Sequence, residues 1–122
     1  MRALIVDDSR SIRQHLRALL ERIGLSCEEA IDGYEALQLL ETSDEFDFML
    51  LDVNMPRMSG LECVKKLRDA GLHRPMKVMM VTSESDNSFI CPGLEYGADE
   101  FLMKPFTAES LREKLVMLGL AA

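Results

Sequence analysis

Residues 45–60 read EFDFMLLDVNMPRMSG and contain the segment that decides the fold. The apolar run at residues 48–51 is typical of a strand that is buried on both faces of a parallel sheet. The run ends on an acid, Asp52, and the chain then turns at Met55-Pro56. A carboxylate at the end of a buried strand costs free energy unless it has a partner, so the position of Asp52 needs an explanation.

Four further segments predict strands around the central one at residues 46–51. Residues 3–6 and 77–81 are apolar runs bounded by polar residues, residues 26–30 form a weaker candidate, and residues 100–103 form a short one. Apolar residues recur at helical spacing between these segments. The resulting pattern of five βα units predicts an α/β fold, a doubly wound parallel sheet with helices on both faces.

The predicted helices have recognisable start and stop residues. The first follows Ser9 and ends at Gly24, and the second follows Asp32-Gly33. The third begins at Ser59, where SGLE has capping-box form, and closes at Gly71; an ill-defined helix precedes Gly97, and Thr107 caps the last helix.

Composition excludes several classes of protein. The chain has 122 residues and is 48% hydrophobic, so we expect a single domain over residues 1–122. A formal charge of −7 argues against direct nucleic-acid binding. Because no apolar run approaches the roughly 18 residues of a membrane span, and no signal peptide is evident, we expect a cytoplasmic protein without membrane contact. Three widely spaced cysteines predict free thiols rather than disulfides or a zinc site.

The residues just after each predicted strand are the candidates for a functional site. Ligands of doubly wound sheets bind outside the carboxyl ends of the strands. These ends carry Asp7-Asp8, Asp52, Thr82-Ser83 and Lys104. Crowded carboxylates repel one another, and a small set of hard oxygen ligands suits Mg2+. The sequence therefore predicts a magnesium site at this edge of the sheet.

Each of these residues also has a simpler structural explanation. Asp7-Asp8 could cap the following helix, and Asp52 could be a turn acid before Met-Pro. Thr82 could be a cap or an ordinary β-branched strand residue, and Lys104 a solvated charge. All of them converging on one sheet edge is the observation that favours a site.

The whole chain resembles a receiver domain of the two-component response regulators, in the stand-alone, CheY-like form. The resemblance rests on Asp7-Asp8 of VDDS, Asp52 of LLDVNMPRMSG, Thr82 of VTSE and Lys104 of FLMKPF. It implies a flavodoxin-like sheet with strand order 2-1-3-4-5. It also implies that Asp52 is the nucleophile that takes a phosphoryl group from a phosphohistidine of a kinase or phosphotransfer protein.

The resemblance assigns the remaining roles at the site. Asp8, Asp52 and the backbone carbonyl of Asn54 would hold Mg2+, and Asp7 would act mainly through a metal-bound water. Lys104 would supply a cation to the phosphoryl oxygens, and Thr82 a hydroxyl that reorients toward the phosphate.

The resemblance also implies a switch and an output surface. Phe101 would be the aromatic that turns inward, although it lacks the hydroxyl of the tyrosine found in many relatives. Asn54 and Glu84 would flank an attacking water, as in chemotaxis-type relatives with short-lived phosphates. The output surface would comprise the fourth helix, the fifth strand and the last helix. It would contact a downstream protein target, with the chain as a monomer or weak dimer.

Cys91-Pro92-Gly93 departs from the family pattern within the fourth helix. Proline removes an amide donor and glycine weakens a helix interior. We therefore predict a helix that starts late, near Pro92, or is broken there. The alternative is a proline placed without cost in a first turn.

Two other functions are considered. A haloacid dehalogenase-like phosphatase would also form a covalent intermediate on Asp52, but it needs a second acid where this chain has Asn54. We therefore expect no enzyme activity beyond self-catalysed phosphotransfer and dephosphorylation. The chain could instead be the receiver portion of a DNA-binding regulator, although residues 119–122 end it without a linker or a helix-turn-helix.

Overall fold

The alternating strands and helices expected from the sequence are present. The computed structural model describes residues 1–42, 46–53, 55, 57–71, 76–83 and 95–121. Five strands and four complete helices lie within these ranges: β1 (Arg2–Val6), α1 (Arg10–Arg22), β2 (Ser26–Ala30), α2 (Gly33–Thr42), β3 (Phe48–Asp52), α3 (Gly60–Asp69), β4 (Lys77–Thr82), β5 (Glu100–Met103) and a C-terminal helix (Ala108–Met117). Glu95 and Tyr96 are also helical. The predicted irregularity at Pro92 lies outside the described residues, as do Asn54 and Glu84.

The strands form one parallel sheet in the order β2-β1-β3-β4-β5, which confirms the predicted order. The central strand, β3, is buried along its whole length and includes Asp52 as its last residue. It begins two residues later than the predicted segment. Asp47 nevertheless continues the ladder, because its N–H donates to the Arg2 carbonyl and its own carbonyl accepts from the Lys77 amide.

Two apolar cores, one on each face of the sheet, explain the unbroken apolar runs. Along β3, Met49 and Leu51 belong to one core, and Phe48 and Leu50 belong to the other. Residues of α2 and α3 complete the first core, and residues of α1 and the C-terminal helix complete the second. Because successive strand side chains point to opposite faces, a strand covered on both faces needs apolar residues at every position.

Local signals set the helix ends. Gly24 has φ +100° and ends α1 with a Schellman motif, in which the Leu25 amide donates to the Leu20 carbonyl at 3.1 Å. Thr107 and Ser110 form a complete capping box at the C-terminal helix.

The capping box predicted at Ser59 is only half formed. The Ser59 hydroxyl accepts from the Glu62 amide at 3.2 Å. The Glu62 carboxylate, however, accepts from that hydroxyl at 3.4 Å rather than from the Ser59 amide. The side chain of Glu62 therefore adds less to the cap than the motif predicts.

Each helix within the described ranges is too short or too polar to cross a lipid bilayer.

Candidate functional site

Three carboxylates meet at the carboxyl edge of the sheet. One oxygen each of Asp7, Asp8 and Asp52 can be chosen so that all three lie within 4.8 Å of one another. The pairing of β1 with β3, which aligns Val6 with Leu51, places the two strand ends side by side. Asp7 and Asp52 are buried, whereas Asp8 is exposed. The predicted convergence of these acids is confirmed.

Asp7 is held from several directions. Its Oδ1 accepts from the Ser9 amide at 2.8 Å, and its own amide donates to the Ala30 carbonyl at 3.2 Å. The residue that caps α1 is Ser9, whose hydroxyl accepts from the Ile12 amide. The helix-cap explanation of the acid pair is therefore incomplete. Asp7 Oδ1 accepts from the capping residue, Ser9, while Asp7 Oδ2 still faces Lys104 at the site.

Lys104 supplies a positive charge between two of the acids. Its Nζ lies 3.5 Å from Asp7 Oδ2 and 3.5 Å from Asp52 Oδ1. The Lys104 amide donates to the Thr82 carbonyl at 2.7 Å, which anchors the lysine at the end of β5. Its ammonium is directed at the acids rather than dispersed into solvent, so the solvated-charge explanation does not hold.

The two predicted switch residues lie on neighbouring strands beside the acids. Thr82 ends β4 and is buried. Phe101 pairs in register with Met80, and its ring is buried in the core on the α2 and α3 face. The ring is therefore already buried in this structure, and the role of Phe101 as a switch stays a prediction.

Gly60 allows α3 to start directly against the end of β3. Its amide donates to the Val53 carbonyl at 2.9 Å. A Cβ at Gly60 would lie 2.2 Å from the carbonyl oxygen of Asp52 and 2.8 Å from Met80 Cε. The contact with the Asp52 carbonyl involves backbone, so no rotation of a side chain could relieve it.

The donor set fits a hard divalent cation. Three carboxylates provide oxygen ligands, and the exposed position of Asp8 leaves access for water. One ammonium offsets only part of their negative charge, so a bound cation would relieve the repulsion among them. The acidic pocket predicted for Mg2+ is therefore present, although the carbonyl of Asn54 lies outside the described residues.

Sequence reasoning missed an arginine that is bonded to the acid pair and another that is bonded to Asp32. Arg13 donates from Nη1 to the Asp7 carbonyl at 2.7 Å and from Nε to Glu29 Oε1 at 3.0 Å. Arg57 has φ +68° and forms an ion pair with the buried Asp32 at the start of α2. The only sequence signal for Arg13 is its place on the first turn of the helix after the acid pair.

Comparison with known proteins agrees with this geometry. The family model described as the response regulator receiver domain matches residues 3–116. Response regulator MprA of Mycobacterium avium is 43% identical over 115 residues, which are 94% of this chain and 49% of MprA. This chain thus spans about half the length of that relative. The chemotaxis protein CheY homolog of Campylobacter jejuni is 38% identical over 116 residues, covering 94% of this chain and 89% of that protein.

Solved structures give the same result. Chemotaxis response regulator CheY4 of Vibrio cholerae superimposes with a TM-score of 0.89 at 38% sequence identity, over 96% of this chain and 97% of CheY4. A two-component response regulator from Clostridium difficile superimposes with a TM-score of 0.87 at 26% identity, over 98% of this chain and 96% of the other. With its parallel sheet and its acids at the strand ends, the chain belongs to the response regulator receiver domain family of two-component systems.

Proposed function

We propose that this chain is a phosphoacceptor switch that takes a phosphoryl group on Asp52 from a phosphohistidine of a histidine kinase or phosphotransfer protein. One observation carries the proposal. The Asp52 carboxylate ends a fully buried strand, next to both the Lys104 ammonium at 3.5 Å and the Asp7-Asp8 pair. A carboxylate held in this way is positioned for in-line attack.

The transfer balances without any further reagent. An oxygen of Asp52 forms the new P–O bond as the P–N bond of the phosphohistidine breaks, and the electron pair of that bond returns to the imidazole. Lys104 attracts the phosphoryl oxygens, and the Thr82 hydroxyl can donate to one of them once it reorients. Mg2+, when held by Asp8, Asp52 and the carbonyl of Asn54, with Asp7 acting through water, would neutralise charge on the transferred group.

The output would follow from a two-state change near the new phosphate. Thr82 would move toward the phosphate, and the Phe101 ring, which is already buried here, would repack beside it. The surface formed by the helix before Gly97, β5 and the C-terminal helix would then bind a downstream protein target. Because Phe101 carries no hydroxyl, this output would depend on the packing of the ring and not on a tyrosine hydrogen bond.

The switch would reset by its own hydrolysis. Asn54 and Glu84 would flank the path of an attacking water in this scheme, and we expect fairly fast self-dephosphorylation. We expect no turnover of phosphomonoesters, since the chain is not an enzyme in this proposal. Steady release of phosphate from such a compound would instead favour a phosphatase.

The direct test is phosphorylation with a small donor. The protein is mixed with Mg2+ and acetyl phosphate, and the added mass is located by mass spectrometry of peptides. We expect one phosphoryl group on Asp52, none in the Asp52→Asn variant, and normal uptake in Asp69→Asn. Asp69 is the matched control because it is an exposed carboxylate at the end of α3 that pairs with Lys65. Equal labelling of Asp52→Asn and the parent would refute the proposal.

A further inference from the structure

Arg13 connects the acid pair to the neighbouring strand. Its Nη1 donates to the carbonyl oxygen of Asp7 at 2.7 Å, and its Nε donates to Glu29 Oε1 at 3.0 Å. The side chain is only 12% exposed. A guanidinium held at two points within a nearly buried position has little freedom to leave the carbonyl.

Glu29 orients this guanidinium. Its other oxygen accepts from Arg17 Nη1 at 2.7 Å, and Arg17 Nη2 donates to the Cys27 carbonyl at 3.0 Å. The hydrogen bond from Arg17, followed by that from Arg13, lowers the pKa of Glu29 below its ordinary value. Glu29 is therefore ionised at neutral pH and keeps Arg13 aligned with Asp7.

The carbonyl of Asp7 belongs to the peptide bond that leads into Asp8. The amide and both carboxylate oxygens of Asp7 already have partners in Ala30, Ser9 and Lys104, and Arg13 engages the remaining backbone polar atom. Asp8 is exposed, so little packing determines where its carboxylate points. The orientation of the Asp7–Asp8 peptide contributes to that direction, because it sets where the Asp8 side chain leaves the backbone.

We propose that Arg13, aligned by Glu29, is a positioning residue that sets the Asp7–Asp8 peptide so that the Asp8 carboxylate is placed for a divalent cation. This inference rests on the proposed function only in taking the acid cluster as a cation site. Loss of the Arg13 guanidinium then weakens cation binding while leaving Asp52 and Lys104 where they are.

The competing explanation is a structural connection between α1 and β2. Arg17 provides the matched control, because it donates to the same Glu29 carboxylate and to a β2 carbonyl, but the Asp7 carbonyl receives its bond from Arg13. A merely structural role would make Arg13→Gln and Arg17→Gln alike in cation binding. A positioning role would separate them.

The experiment measures Mg2+ binding to the full chain by titration calorimetry, without a phosphodonor. We expect Arg13→Gln to raise the Kd for Mg2+ about tenfold, the usual scale for groups that orient metal ligands, and Arg17→Gln to leave it close to that of the parent. Arg13→Lys keeps the positive charge but lacks the planar fork that bonds the carbonyl and Glu29 together, so it should weaken binding less; it also serves if Arg13→Gln does not fold.

Each outcome decides the matter. Equal Kd values for parent and Arg13 variants, equal losses in Arg13→Gln and Arg17→Gln, or a parent that binds no Mg2+ would overturn the inference. Acetyl phosphate labelling of the parent at saturating Mg2+ separates the two proposals. Failure to label Asp52 rejects the phosphoacceptor function, whereas the calorimetry of Arg13 still stands on its own.

Discussion

Gly60 is the residue at which fold and site are most tightly joined. It is the first residue of α3 and lies against the backbone of Asp52, so the helix begins in direct contact with the proposed nucleophile. Gly33 opens α2 in an equivalent position, but a Cβ there would meet the Met58 side chain, with Sδ at 2.7 Å. The first contact involves a rigid backbone and the second a flexible side chain.

Substitution of these two glycines tests the difference. We predict that Gly60→Ala lowers the free energy of unfolding by about 1–3 kcal/mol, the usual cost of overpacking, and slows labelling by acetyl phosphate because the Asp52 backbone must shift. Gly33→Ala should cost less and leave labelling nearly unchanged. Urea unfolding and timed mass spectrometry measure both. Equal effects of the two substitutions would show that the backbone contact is not the controlling feature.

At the scale of elements, α1 and β2 are joined by charge as well as by packing. Glu29 on β2 accepts hydrogen bonds from Arg13 and Arg17 on α1. These bonds lower the pKa of Glu29. Since the carboxylate is partly exposed, solvent screens the interaction and its contribution is modest.

The sign of the pH dependence follows from the lowered pKa. A carboxyl group whose pKa is lower in the folded state stabilises the fold above its unfolded pKa of about 4.3, and the contribution is lost as the pH falls through the folded value. We predict that Glu29→Gln is less stable than the parent at neutral pH and that the difference shrinks in acid. Urea unfolding at pH 7 and pH 3 measures it. A difference that is the same at both values would contradict this account.

At the scale of the whole molecule, the described helices form two layers, one packed on each face of the sheet. Cys27, on β2, lies in the core on the α1 side of the sheet, and Cys63, on α3, lies in the core on the other side. Burial raises the pKa of the Cys27 thiol to about 11 and that of Cys63 to about 12. Both thiols are therefore protonated and shielded in the folded protein.

Thiol labelling tests whether both layers open together. We predict that iodoacetamide at pH 8 modifies Cys27 and Cys63 slowly, at similar rates that increase together as urea is added. Peptide mass spectrometry reads each site, and the denatured protein supplies the upper limit of the rate. Rapid labelling of one cysteine in the native protein would mean that its layer opens independently of the other.

Much of the fold could be predicted from local patterns. Runs that are apolar at every position, such as that of β3, alternate with helical periodicity, and only a sheet covered on both faces accommodates this alternation. The strand order, by contrast, came from resemblance to a family, because apolar periodicity does not state which strands are neighbours.

The candidate site divides in the same way. The sequence by itself determined that Asp7, Asp8, Asp52 and Lys104 follow strand ends, and parallel strands must bring such ends to one edge. Only the tertiary structure decided that Arg13 bonds the Asp7 carbonyl, that the Ser59 cap is half formed, and that Gly60 touches the Asp52 backbone. Periodicity reports which face of an element is buried, whereas these contacts depend on side-chain direction and on the close approach of segments that local sequence does not encode.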